Sequence, residues 1–334
     1  GPSISCRLAA KEGNHEADVA HDGEKLLDYA LGGGRWMPLP AGTVEEALSF
    51  LREAGIPSFG GITLAQYMNL LRRPSKGLTV TDRTEQSLSA SVVATELRGK
   101  VPASFAGALY PYQRDGYRWL SYMARGGVGA VIADEMGLGK TVQVICLLIE
   151  AAEQRRGPAL VVSPATLLEN WRRELARFAP RLRLLVHSGS RRTGLPDELR
   201  RYDVVISSFD TTVGDISLLR NVQWGVVVVD EAQGIKNPDA KRTIQLKTLP
   251  RQCTIAVTGT PVENRLRDLW SITDLVVPSL LGSLREFERR HPNTTASAAL
   301  LEPVVTPLIL RRLISDVATD LPERINIPQA LQMD

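Results

Sequence analysis

A phosphate-binding pattern at residues 128–150 constrains this chain more than any other feature of its sequence. An aliphatic run at 128–133 is followed by a loop that contains glycine and then by an apolar pattern of helical length. This is the strand, loop and helix order of a phosphate-binding loop. Gly137 and Gly139 lack a Cβ, so the loop can turn its N–H groups towards a polyphosphate, and the positive end of the helix points the same way.

The residues that begin and end this loop differ in how well they fit the general pattern. Lys140 would bring a positive charge to the outer phosphates, and the Thr141 hydroxyl would ligate Mg²⁺. The pattern G-x-x-x-x-G-K-[ST] begins with glycine, whereas this chain has Asp134 at that position. Taken alone, the loop is also compatible with a glycine-rich turn that carries a surface lysine.

A second aliphatic run, at residues 225–231, ends in two acids. Its four consecutive valines favour a strand buried on both faces. Acids after such a strand lie at the carboxyl edge of a parallel sheet, where ligands bind. We expect Asp230 to hold Mg²⁺, directly or through water, and Glu231 to orient and polarise the attacking water. The alternative, a strand followed by an acidic helix cap, is disfavoured because the glycine loop is also present.

Length and composition set the outer bounds. The chain has 334 residues and is 43% hydrophobic, enough for two domains or one large domain with an appendage. No apolar run approaches the roughly 20 residues that cross a bilayer, and no signal peptide is recognisable, so we expect no membrane partner. Cys6, Cys146 and Cys253 lie far apart without a C-x-x-C pair. Two of them are predicted to be core thiols and none a metal ligand, which predicts a cytosolic protein.

Periodicity divides the chain into three predicted regions. Residues 1–107 form an accessory region, with capped helices beginning at Thr43 and Thr63 in a small helical subdomain and a linker after it. Residues 108–278 alternate aliphatic runs with helical patterns, which predicts an α/β lobe with a doubly wound parallel sheet. Residues 279–334 are predicted to be a helical extension.

The predicted elements of the second and third regions have the following bounds. The strands are Val128–Ala133, Ala159–Ser163, Arg183–His187, Asp203–Ser207, Val226–Asp230 and Thr254–Thr258. The helices of the extension are Ser283–Arg290 and Leu300–Val317.

Several segments carry recognisable motifs: Leu109–Leu120, Ala133–Thr141, Ser163–Trp171, Asp230–Pro238, Thr258–Asn264, Leu308–Arg312 and Leu321-Pro322. This set resembles the Swi/Snf group of double-stranded-DNA translocases in helicase superfamily two. The resemblance implies a RecA-like P-loop NTPase lobe that uses ATP and Mg²⁺ and binds double-stranded DNA through its phosphate backbone. It also implies a second RecA-like lobe that carries an arginine finger, so we expect this chain to be the N-terminal lobe of a longer protein.

The resemblance assigns roles to individual residues. Gln113 would contact adenine, and the family does not keep the first loop glycine, which accounts for Asp134. The predicted catalytic residues are Lys140, Asp230 and Glu231, and Thr141 and Asp230 are the predicted Mg²⁺ ligands. The nucleotide-binding set is Gln113, Arg114, Met136, Gly137, Leu138, Gly139, Lys140, Thr141 and Val142.

DNA contacts are predicted at the ends of the strands. Small hydroxyl residues and turns there can bond phosphates without reading a base. Residues 172–201 carry nine arginines and three acids, a local charge of +6 in a chain of +3, although a solvated helix face is the alternative. The predicted contacts are Pro164, Thr166, Asn170, Arg191, Arg192, Ser208, Lys236, Asn237, Thr258 and Gly259.

Gln233 and Thr260 are predicted to couple the nucleotide state to the loop at 258–260. Gln233 stands where many relatives carry histidine. Glutamine offers both a donor and an acceptor but cannot titrate.

The predicted function is ATP-driven translocation on duplex DNA. The alternatives are a strand-separating or RNA-directed helicase of the same superfamily and a nucleotide-switched binding module with little hydrolysis of its own. The binding module is disfavoured because the chain retains Lys140, Thr141, Asp230 and Glu231. Arginine outnumbers lysine by 32 to 8, which favours a bacterial, GC-rich source. A cytoplasmic, nucleoid-associated location follows.

Overall fold

A computed structural model of the chain describes residues 4–6, 8–12, 15–22, 25–32, 35–53, 56, 60–62, 66–67, 70, 97, 99–259 and 265–317. Most of the predicted linker before residue 107, the residues Thr260 to Asn264 and the Leu321-Pro322 motif lie outside the described residues. Within the described part of the chain, no helix is long and apolar enough to cross a membrane.

A parallel sheet forms the centre of the predicted α/β lobe. Its strands are β7 (Ala130–Ile132), β8 (Ala159–Ser163), β9 (Leu184–His187), β10 (Val204–Ser208), β11 (Trp224–Val229), β12 (Arg251–Val257) and β13 (Ile309–Leu310). Their spatial order is β13-β7-β12-β11-β8-β10-β9, and every neighbouring pair is parallel. All strands predicted from the sequence are confirmed, with shifts at their ends. The valine run is buried throughout in β11, as a central strand requires.

Helices connect and cover these strands. Between residues 111 and 290 the helices are α2 (Pro111–Arg125), α3 (Lys140–Glu153), α4 (Leu168–Phe178), α5 (Pro196–Leu199), α6 (Phe209–Gly214), α7 (Ile216–Leu219), α8 (Lys241–Lys247), α9 (Leu266–Val276) and α10 (Leu284–Arg290). Helix α2 packs against α3, and α3 also packs against α4. Ser283 caps α10, since its hydroxyl accepts from the Glu286 amide, and this confirms the helix predicted there.

The single helix predicted over Leu300–Val317 is wrong. The chain instead forms α11 (Thr295–Val305), a 3-10 turn (Thr306–Leu308), strand β13 and α12 (Ile314–Val317). Pro307 has no amide hydrogen to continue the α-helical hydrogen bonds, so the α-helix ends before it and Thr306, whose φ and ψ are still helical, begins the 3-10 turn. The apolar pair that follows completes the sheet beside β7.

The accessory region also contains strands that the sequence analysis did not predict. It contains an antiparallel sheet of β2 (Ala9–Glu12), β3 (His15–Asp22), β4 (Lys25–Gly32) and β5 (Arg35–Pro38), and a pair of β1 (Ile4–Cys6) with β6 (Gly60–Ile62). The helix predicted from Thr43 is confirmed as α1 (Thr43–Glu53). Of the helix predicted from Thr63, residues 66, 67 and 70 are described, and all are helical. The boundaries of the three regions stay a prediction.

Candidate nucleotide-binding site

The predicted phosphate-binding loop lies between β7 and α3. Gly137 and Gly139 have φ angles of +94° and +74°, in the left-handed region that favours glycine. A Cβ on Gly139 would lie 2.5 Å from Nε2 of Gln113. Gly139 is therefore required by its backbone conformation and by the space around it.

Lys140, the first residue of α3, points back over its own loop. Its Nζ donates to the carbonyl oxygens of Asp134 at 2.7 Å and Glu135 at 3.3 Å. Burial lowers the pKa of Lys140, while the charges of Asp134, Glu231 and Asp230 act in the opposite direction. The ammonium group thus lies within the electrostatic reach of both acids at the end of β11.

The other predicted nucleotide residues differ in their exposure. Gln113 is buried in the first turn of α2, where its Nε2 donates to the carbonyl of Leu138 at 3.2 Å. Its Oε1 accepts from the Tyr110 amide at 3.1 Å, so the side chain bridges α2 and the loop. Met136 is 79% exposed, whereas Leu138 and Val142 are buried. Arg114 and Thr141 are partly exposed. The contact between Gln113 and adenine stays a prediction.

Asp230 follows β11, and three donors fix its carboxylate. Oδ2 accepts from Ser163 Oγ at 3.0 Å and from Trp171 Nε1 at 2.8 Å. Oδ1 accepts from the Glu231 amide at 2.9 Å. Burial raises the pKa of Asp230 even though these hydrogen bonds oppose that effect.

Trp171 is a site residue that the sequence analysis missed, because it predicted DNA contacts in the Ser163–Trp171 segment and gave Trp171 no role. Its indole is buried in α4, and a buried indole N–H needs an acceptor. A tryptophan among the charged residues of an amphipathic helix indicates a buried side chain, and this pattern was visible in the sequence. The identity of its acceptor, 59 positions away, was not readable from the sequence.

Glu231 has an uncommon backbone conformation for a residue with a Cβ, with a φ of +48°. It precedes a 3-10 turn, Ala232–Ile235, and such strain is concentrated at functional sites. The side-chain Nε2 of Gln233 donates to Glu231 Oε2. The side-chain Oε1 of Gln233 accepts from Thr258 Oγ1 at 2.9 Å. The structure thus links the acid to the end of β12 through the predicted coupling residue Gln233, while Thr260 lies outside the described residues.

Asp134, which occupies the position of the missing glycine, is fully buried. Arg312 forms an ion pair with it, with its Nε donating to Oδ1 at 2.9 Å. A glycine could not make this contact, so the departure from the general pattern has a structural role.

The predicted DNA contacts follow β8, β10, β11 and β12, but their side chains are not equally available. Thr166, Asn170, Lys236 and Asn237 are exposed, Pro164 and Gly259 are partly exposed, and Thr258 is buried. Ser208 is also buried, and its hydroxyl caps α6 by accepting from the Thr211 amide at 3.0 Å. Because that hydroxyl stabilises a helix end, the structure does not present it to a DNA phosphate.

The two adjacent arginines after β9 have different environments. Arg191 is exposed at the end of a 3-10 turn, Gly189–Arg191. Arg192 is paired with Asp215 through its Nε, which donates to Oδ2 at 2.8 Å. The same carboxylate contacts Nε2 of the buried His187 at 2.9 Å. Burial acts to raise the pKa of Asp215, but the hydrogen bonds from Arg192 and His187 outweigh it and the pKa is lowered.

Comparison with known proteins finds relatives for the part of the chain that carries this site. The SNF2-related domain family matches residues 112–334. An uncharacterized ATP-dependent helicase of Mycoplasma pneumoniae is 39% identical over 223 residues, covering 65% of this chain and 22% of that protein. The human chromatin-remodeling ATPase INO80 is 34% identical over 257 residues, covering 70% of this chain and 16% of that protein.

A solved structure of the Sulfolobus solfataricus SWI2/SNF2 ATPase core in complex with double-stranded DNA is also similar. Its TM-score is 0.61 at 37% identity, and the match covers 67% of this chain and 49% of that one. The likeness confirms the predicted RecA-like α/β lobe. The chain spans less than half the length of each of these three relatives.

Proposed function

Because this chain belongs to the SNF2-related family, we propose that it is the ATP-binding lobe of a translocase that moves along double-stranded DNA. The observation that carries the proposal is the convergence of the phosphate loop with the acids after β11. Strands β7 and β11 are parallel and separated only by β12, so the loop after β7 and the acids after β11 lie at the same edge of the sheet. In keeping with this placement, the charges of Glu231 and Asp230 act to raise the pKa of Lys140. A cytoplasmic, nucleoid-associated location is proposed as well, and the bacterial relative supports its cytoplasmic part.

The residues of the site fit Mg²⁺ chemically. The Thr141 hydroxyl and the Asp230 carboxylate offer the hard oxygen ligands that this ion prefers, and Mg²⁺ sites usually combine one or two carboxylates with substrate phosphates. When bound, the ion would neutralise charge on the transferred phosphoryl group. Ser163 and Trp171 fix the rotation of the Asp230 carboxylate, which determines where its oxygens point.

Glu231 is proposed to orient the attacking water. The amide of Gln233 holds one of its carboxylate oxygens, and Gln233 in turn accepts from Thr258. A change in the position of the glutamate on hydrolysis would therefore reach the end of β12, beside the proposed DNA contact Gly259.

Duplex DNA is the proposed substrate track. The Sulfolobus ATPase core is similar in fold and was solved with double-stranded DNA. In the present chain, exposed Thr166, Asn170 and Arg191 follow strands on the same edge of the sheet as the acids. Contacts of this kind bind phosphates and carry no sequence preference.

Lys140→Ala is expected to weaken ATP binding by roughly 30-fold, about 2 kcal/mol, because a charged hydrogen-bond donor to the phosphates is lost. Calorimetric titration of the chain with Mg-ATP measures the change. Lys241→Ala, at an exposed lysine in the first turn of α8, is the matched control and should bind as the parent does. Equal ATP affinities for the parent, Lys140→Ala and Lys241→Ala would show that Lys140 does not bind the phosphates.

Arg191→Ala is expected to flatten the salt dependence of duplex binding by a slope of about 0.9, the value for one lost phosphate contact. Arg192→Ala should change the slope less, because Asp215 already neutralises that guanidinium. Fluorescence anisotropy over a series of salt concentrations gives both slopes. Identical slopes for the parent and the Arg191 variant would contradict the assignment, as would a strong sequence preference.

A further inference from the structure

The segment from Ile309 to Ile314, here called the exit segment, is hydrogen-bonded to strand β7 and to the first residues of the phosphate-binding loop. Its strand β13 runs beside β7, with Ile309 opposite Val131. The ladder continues past the sheet, since the Ala133 amide donates to the Leu310 carbonyl at 2.7 Å. The backbone of the loop is thus held by residues far away in the sequence.

Two more bonds attach the exit segment to the second residue of the loop. The Glu135 amide donates to the carbonyl of Arg312 at 2.9 Å. The amide of Ile314 donates to the Glu135 carboxylate at 2.7 Å. Glu135 is therefore held through its backbone and through its side chain.

The Arg312 side chain connects three further elements. Its guanidinium pairs with Asp134, bonds Gln143 Oε1 of α3 at 2.8 Å and donates to the carbonyl of Tyr112 in α2. Gln143 Nε2 completes the cluster by donating to Asp134 Oδ2 at 3.2 Å. Asp134 is 0% exposed and Arg312 is 8% exposed, so water screens this pair little.

Gly116 of α2 has no side chain at the point where the helix contacts this cluster. Glycine inside a helix costs about 1 kcal/mol relative to alanine. A Cβ at this position would lie 1.8 Å from Gln143 Oε1 and 2.7 Å from a terminal nitrogen of Arg312. The glycine therefore makes room for the arginine and its partners.

Asp134 and Glu135 are held from two sides. Lys140 Nζ donates to both of their carbonyl oxygens, while the exit segment holds both of their carboxylates and the Glu135 amide. A polyphosphate that draws the Lys140 ammonium towards itself acts on the same two residues. The exit segment and the nucleotide thus act on the same loop conformation, so a conformation that one of them stabilises is already in place for the other.

We propose that Arg312 is a positioning residue for nucleotide binding, and that ATP binding and attachment of the exit segment stabilise each other through the Arg312–Asp134 pair. The inference rests on the proposed ATP site and adds to it a link between that site and the chain that leaves the lobe. Because such coupling is reciprocal, each event changes the equilibrium of the other by the same factor.

The first test is the ATP affinity of Arg312→Lys. Lysine keeps the charge opposite Asp134 but cannot make the planar, multidentate contacts of a guanidinium. We expect ATP affinity to fall roughly tenfold, in the 5- to 150-fold range of such couplings. Arg251→Lys is the matched control, because Arg251 is a largely buried arginine that donates to the Leu249 and Leu275 carbonyls.

Both lysine variants are expected to lower the melting temperature, but only Arg312→Lys should weaken ATP binding. A double variant, Asp134→Asn with Arg312→Gln, avoids an uncompensated buried charge and should also bind ATP more weakly while remaining folded. Parental affinity in folded Arg312→Lys, or equal weakening by Arg251→Lys, would overturn the inference.

Hydrogen exchange provides a readout that a purely structural role would not change. In the parent chain, ATP should slow exchange of the Ile314 and Glu135 amides, and this protection should be reduced in Arg312→Lys. Unchanged protection in the variant would also overturn the inference. Failure of the parent and the variants alike to bind ATP would instead refute the proposed nucleotide site, so the two failures are distinguishable.

Discussion

Glu231→Gln, in a protein that carries both lobes, is expected to bind Mg-ATP normally and to lose turnover by roughly 10²- to 10⁴-fold, the usual contribution of general acid–base groups. The amide keeps the size and shape of the side chain but is not the carboxylate that orients and polarises water. The left-handed backbone at Glu231 and the hydrogen bond from Gln233 fix the position of that group. Steady-state hydrolysis with saturating duplex DNA measures the loss, and a titration checks that binding is retained.

Glu288→Gln is the matched control for this change. Glu288 is an exposed glutamate on α10, and its carboxylate lies 3.5 Å from the Arg267 guanidinium. The control should hydrolyse ATP at the rate of the parent. If Glu231→Gln also retains that rate to within a few fold, a different group orients the water.

Local sequence patterns were sufficient to predict the parallel sheet and the loop. The valine run of β11 and the glycines of the loop each determine a conformation over a few residues, without reference to distant parts of the chain. The parallel topology then places the carboxyl ends of β7 and β11, and with them Lys140 and the two acids, at the same edge of the sheet. The roles of these residues in catalysis stay predictions.

The side-chain network of the site could not be predicted in the same way. The Arg312–Asp134 contact joins residues 178 positions apart, and nothing in either local pattern identifies the partner. Trp171 likewise carried a signal for burial but not for its acceptor. The sequence therefore indicates which residues are unusual, while the structure identifies the pairs that they form.

Two errors came from signals that were present but short. The sequence has glycine-containing pairs, such as Gly13-Asn14 and Gly33-Gly34, between short stretches of strand length, and this pattern predicts hairpins. The alternation in β3, with Ala17 and Val19 buried and Asp18 exposed, spans too few large apolar residues to stand out. Strand β13 has two residues and cannot be distinguished from helix by periodicity.

Residues 1–334 alone are expected to bind Mg-ATP but to hydrolyse it very slowly, even with saturating duplex DNA. The resemblance places a catalytic arginine on the second lobe, and such an arginine is worth roughly 10³ to 10⁵ in rate. Arg312 lies beside the loop, but its guanidinium is bonded to Asp134, Gln143 and the Tyr112 carbonyl. It is therefore not available to neutralise charge on a transferred phosphoryl group.

A protein extended through the proposed second lobe should recover hydrolysis by about that factor, and blunt duplex DNA should stimulate it more than single strands do. Preferential stimulation by single strands would favour the strand-separating alternative, because a duplex translocase tracks paired DNA. Turnover above about 1 s⁻¹ by residues 1–334 alone, the low end for kinase-type phosphoryl transfer, would show that an arginine of this chain completes the site. Turnover that rises with protein concentration would identify self-association as its source, whereas a constant rate per molecule would require an arginine within the same copy.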